Sequence, residues 1–157
     1  MRIYGTFKMV QRSPPSPSNC CGLTITCFLD FLSTGRYRIL VLASSDLLRP
    51  SGQSATTLTK LCSDVIPAFP ADTIELVVVH PIRTKRFEWT DIPSCVKQYA
   101  EMRLHGMADE EVYRIYGVAE EDGAVVIVRP DGYVGTVVAL SDVERAKEYL
   151  VGCLVSV

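Results

Sequence analysis

Gly123-Ala124-Val125-Val126-Ile127-Val128-Arg129-Pro130-Asp131-Gly132-Tyr133-Val134-Gly135-Thr136-Val137-Val138-Ala139-Leu140 sets two apolar runs on either side of a four-residue turn. Pro130 presets φ at the second turn position. Asp131 can hydrogen-bond the local backbone from the third, and Gly132 takes the left-handed conformation that a type I turn with a bulge requires. The segment therefore reads as a β-hairpin with antiparallel strands over 124–129 and 133–140. Val125 to Val128 is apolar at every position rather than alternately, so both faces of the sheet are covered and the hairpin is expected deep in it.

Downstream, residues 141–154 read as a helix. Ser141 and Glu144 have capping-box spacing, and Val143, Ala146, Leu150, Cys153 and Leu154 form one apolar face. Upstream, 37–43 is a strand with a buried interior. Residues 53–66 carry Ala55, Leu58, Leu61, Cys62, Val65 and Ile66 at helical spacing, and Pro67 and Pro70 end that helix. Residues 73–79 form a second strand rich in β-branched side chains. A helix separates it from the first, so a right-handed parallel crossover is expected. Between 80 and 106 the pattern is irregular, with a helix expected over 94–104, and 109–116 reads as a short helical turn.

The length, 157 residues, suits one domain with a single core, and the net charge of −2 comes with no long basic run. Nucleic acid is thereby excluded as a partner. The longest apolar stretch, 20–32, is too short to span a bilayer and carries Asp30, so no membrane association is expected and the chain is expected to be cytoplasmic. Six cysteines at 20, 21, 27, 62, 95 and 153 are scattered, without zinc spacing or a C-x-x-C, which fits reduced thiols; Cys62 and Cys153 are expected to face inward as small hydrophobes. Ser13-Pro14-Pro15-Ser16-Pro17-Ser18 cannot hold a helix or a strand ladder. Residues 1–32 are read as an irregular segment ahead of a domain over 33–157.

Tyr116-Gly117-Val118, an acidic loop, the run Val126 to Gly135, and then Leu140 with a terminal helix follow one another in an order that resembles the C-terminal domain of the flavin-dependent phenol hydroxylase family. Ser33 to Val41 resembles the strand that opens that domain, and Ile74 to His80 its second strand, so the resemblance covers roughly residues 33 to 154. A generic turn accounts for Pro130, Asp131 and Gly132 only, which leaves Arg129, Tyr133 and Gly135 as the more specific part of the signature. The resemblance implies an α/β, thioredoxin-like fold: a mixed sheet built as β-α-β, a helical insert and β-β-α, with helices on both faces. The element order read from the residues is the same.

Thiol redox chemistry on such a fold needs a low-pKa cysteine at the first helix N-terminus. The matching stretch, Asp46-Leu47-Leu48-Arg49-Pro50-Ser51-Gly52, holds none, and Glu121-Asp122-Gly123 stands where a thioredoxin keeps a cis-proline. Cys20-Cys21 is a vicinal pair whose direct bonding is strained. His80 and His105 have no ligand-spaced neighbours, so no metal is expected. No G-x-S-x-G and no G-x-G-x-x-G is present, so no catalytic and no cofactor-binding residue is assigned. In the family, FAD and NADPH belong to domains outside this resemblance.

The expectation is a standalone, non-catalytic domain that self-associates or binds a flavin monooxygenase chain. The signature residues Arg129, Pro130, Asp131, Gly132, Tyr133 and Gly135 are read mainly as structural. Arg83, Arg86 and Trp89 are the candidate interface, because tryptophan and arginine are the usual anchors of one. Two alternatives stand beside this: a fragment of an FAD-dependent aromatic monooxygenase, and a thiol oxidoreductase using Cys20 and Cys21.

Overall fold

β1 (Tyr37–Leu42) is buried at five of its six positions, because its alternate side chains serve two cores. Ile39 and Val41 point into one, Leu40 and Leu42 into the other. The computed structural model describes residues 34–81, 89–100, 104–106 and 111–154. β1 pairs in parallel with β2 (Ile74–His80), and β2 in parallel with β3 (Leu104–Gly106). On its other side β1 pairs antiparallel with β4 (Ala124–Val128), which pairs antiparallel with β5 (Val134–Val138). The sheet order is β3-β2-β1-β4-β5. This is the expected mixed, thioredoxin-like arrangement.

The first core is roofed by α1 (Gln53–Lys60), α2 (Ser94–Ala100) and α4 (Val143–Cys153). They contribute Leu58, Val96, Ala100, Val143, Ala146 and Leu150 against Ile39, Val41, Leu76, Val78, Val125 and Ile127. Full burial of such an aliphatic side chain is worth about 1.5–3 kcal/mol. α3 (Glu111–Tyr116) covers the other face with Val112 and Tyr113. The Tyr113 hydroxyl donates to the Ala43 carbonyl, and burial pushes its pKa up.

A charged pair is built into that second face. Arg38 and Glu75 are register partners on β1 and β2, and the Arg38 Nε donates to Glu75 Oε2 at 3.2 Å with both side chains buried. Thr34 Oγ1 donates to the same oxygen at 3.1 Å.

Several expectations are corrected. The helix expected over 94–104 stops at Ala100, and Leu104–Gly106 is a strand. A three-residue strand is too short to show a period, and its ladder with Val78, Val79 and His80 decides its conformation. The helix over 53–66 is regular only to Lys60; a π-helical turn, Leu61–Val65, and a 3-10 turn, Ile66–Ala68, follow where Pro67 withdraws its N–H. Ser141 does not cap α4: Asp142 holds the N-cap position without a side-chain hydrogen bond. Glu144 reaches Lys60 on α1 instead, at 2.6 Å. Cys153 is exposed, because α4 ends there and the chain turns extended at Leu154. Only half of the hairpin lies deep: β4 is fully buried, whereas β5 is an edge strand.

Candidate functional site

Two places matter on this fold: the β1–α1 junction, where a thioredoxin-like domain would carry thiol chemistry, and the hairpin that bears the signature residues. At the junction Asp46 accepts from the backbone N–H of Gln53 at 2.5 Å and of Ser54 at 3.3 Å. Ser44 Oγ donates to it at 2.5 Å, and Ser54 Oγ accepts from the Ser44 N–H at 2.9 Å. Burial alone would raise the Asp46 carboxyl, but the hydrogen bonds from Ser44, Ser54 and Gln53 outweigh it and hold the group below its ordinary range. The helix N-terminus is thus already occupied by an anion of the chain's own. A phosphate group of a flavin or nicotinamide dinucleotide does not fit there, because it would meet the same N–H groups and the Asp46 charge.

In the hairpin, Gly132 has φ +82 and its N–H donates to the Arg129 carbonyl at 2.9 Å, while the Arg129 N–H donates to the Tyr133 carbonyl at 2.8 Å. Arg129 Nη2 meets Asp131 Oδ2 at 2.6 Å, and Asp131 Oδ1 accepts from the Tyr133 N–H at 3.3 Å. Both side chains of the ion pair are nearly half exposed, so the pair adds little stability and serves to hold the turn. The register slips between Ile127 and Val128, which face Thr136 and Val134. Gly135 is the extra residue of that bulge.

Gly135 is fixed by packing. A Cβ there would collide with the Tyr149 phenol on α4, so the helix can lie close to the edge strand only if position 135 has no side chain. Burial first, then the neighbouring Cys153 thiol, raises the Tyr149 and Tyr37 phenols, while Arg129 pulls them down. The field of Arg129 on the hairpin thus reaches the start of β1 and the end of α4. The sequence offers Gly135 as a point of close approach but no sign of its partner, fourteen residues away on another element.

Of the candidate interface, Arg83 and Arg86 lie outside the described residues, and Trp89 opens a 3-10 turn, Trp89–Asp91. Cys20 and Cys21 also lie outside them. The Cys62 thiol is buried and donates to the Cys95 carbonyl at 3.7 Å. Desolvation, and then the neighbouring Cys95, push its pKa up, which makes it a poor nucleophile. His80 is buried at the end of β2. Among the described residues no group of three metal-ligating side chains converges, and no helix is long and apolar enough to cross a membrane.

Residues 25–157 match the sequence profile described as phenol hydroxylase, C-terminal dimerisation domain. The flavin-dependent oxygenase ucdD of Aspergillus ustus is 27% identical over 127 residues, 74% of this chain and 19% of that protein. The phenol 2-monooxygenase fsqG of Aspergillus fumigatus is 23% identical over an alignment of 158 positions, 93% of this chain and 25% of that protein. The chain thus spans a quarter or less of the length of these relatives. The crystal structure of StoA from Bacillus subtilis aligns with a TM-score of 0.45 at 16% identity, covering 73% of this chain and 82% of that one.

Proposed function

Since the chain belongs to the phenol hydroxylase C-terminal dimerisation domain family, we propose that it is an association module, non-catalytic on its own, whose partner is a second copy of itself or a flavin-dependent oxygenase chain. The observation that carries this reading is the match to a dimerisation domain over 25–157, which takes in every described element. The closed β1–α1 junction supports it: Asp46 holds the helix N-terminus where a thiolate or a phosphate would sit. On this reading FAD and NADPH are cofactors of the partner, and the aromatic substrate meets the partner alone.

A second reading has a specific observation in its favour. The named relatives are about four times as long and carry oxygenase names, which fits the present sequence as part of an FAD-dependent aromatic monooxygenase. Both readings give the folded domain the same task of holding chains together. Co-expression of two differently tagged copies tests it: one tag is expected to retrieve the other copy in a colourless complex. Failure to retrieve it contradicts self-association, and a flavin band in material containing this chain alone contradicts the assignment of the cofactor to a partner.

A further inference from the structure

The sheet has two edges, and they are not alike. β3 is three residues long. β5 is five residues long and, among the described residues, pairs with β4 alone. Edge strands are usually kept from pairing with other chains by charge, proline or a bulge. Val134–Val138 contains no charge and no proline. Its bulge lies at the turn end, so Thr136, Val137 and Val138 stay in regular register with Ile127, Val126 and Val125. Val137 is 41% exposed, one of three large apolar side chains so exposed among the described residues; the others are Ile115 on α3 and Val151 on α4.

We infer that this edge receives a second copy of the chain, β5 pairing antiparallel with β5 of the copy so that two five-stranded sheets become one. The inference rests on the self-association reading above and adds its surface. A neutral strand is compatible with itself: a two-fold axis through it sets valine, glycine and threonine against one another and brings no like charges opposite. Contact area points the same way. A stable dimer buries about 800 Å² on each partner, more than a strand of about 17 Å supplies from one edge. The required second layer lies directly above. α4 has eleven residues, about 16 Å, and seats Tyr149 over Gly135. Arg145, exposed and one turn earlier, shares that flank. Tyrosine and arginine are residue types that anchor interface centres.

Sedimentation equilibrium of the full chain tests the assignment against two variants. Val137→Lys puts a charge on the edge, and Ile115→Lys puts one on an exposed apolar residue of another element, α3. The wild type is expected to dimerise, Val137→Lys to raise the dissociation constant at least a hundredfold, and Ile115→Lys to leave it within twofold. Amide exchange gives a readout that needs no variant: in the wild type, exchange across 134–138 is expected to slow at least tenfold from dilute to concentrated solution. A dimer whose constant is unchanged by Val137→Lys, with β5 exchange independent of concentration, overturns the edge assignment and leaves the self-association reading standing. A wild type that is monomeric at every concentration overturns that reading itself, and this surface with it.

Discussion

At the β1–α1 junction one carboxylate accepts two helix N–H groups and a serine hydroxyl, and this sets both the stability of the helix start and the chemistry it excludes. Replacing Asp46 by Asn removes the charge and keeps the shape. Asn turns one acceptor oxygen into an NH2 donor, so one of these donors loses its charged partner; a hydrogen bond to a charged group is worth about 1.5–3 kcal/mol, so Asp46→Asn is expected to lower the thermal midpoint at pH 7. The pH dependence has a definite sign. The folded Asp46 carboxyl is held below its ordinary value, so its contribution is fully present above the unfolded pKa, near 4, and is lost as pH falls through the folded one. The midpoint gap between wild type and variant, followed by circular dichroism, is therefore expected to close below about pH 4. A gap that widens there contradicts the account. The sequence placed Asp46 in the stretch at the first helix N-terminus but did not show the cap, because the carboxylate sits seven and eight positions before the amides it accepts and no local motif has that spacing.

Between elements, the most informative contact is α4 on β5. Gly135→Ala drives a methyl group toward the Tyr149 ring and is expected to cost about 1–3 kcal/mol, the usual range for overpacking. Its loss of stability in urea titration should shrink when Tyr149→Ala is combined with it, since the two share one contact; purely additive losses contradict the packing argument. The hairpin was legible because Pro130, Asp131 and Gly132 specify its turn chemically. β1, β2 and β4 were legible because their apolar runs are long. β3 was missed because Leu104–Gly106 has no pattern of its own and gains its conformation from β2. The capping box at Ser141 and Glu144 failed for a related reason: Glu144 pairs with Lys60 on α1 instead, which no local spacing encodes. The burial of β4 against the exposure of β5 also lay beyond reach, since strand order in a sheet is a property of the assembled domain.

For the molecule as a whole, the element order β-α-β, insert, β-β-α could be read from periodicity, and the Arg129 to Gly135 run pointed to the family in which the chain belongs. The surface was less legible. Arg83, Arg86 and Trp89 were singled out by residue type alone, whereas the β5 edge, paired among the described residues with β4 alone, and its exposed Val137 become visible only once the strands are ordered. On the proposed reading the chain is an association domain that leaves flavin chemistry to its partner. Native mass spectrometry of the purified full chain, sprayed with and without added FAD, tests that claim most directly. Two chains with no added flavin mass is the predicted result; a chain carrying FAD would contradict the claim, and a single chain at every concentration would contradict self-association.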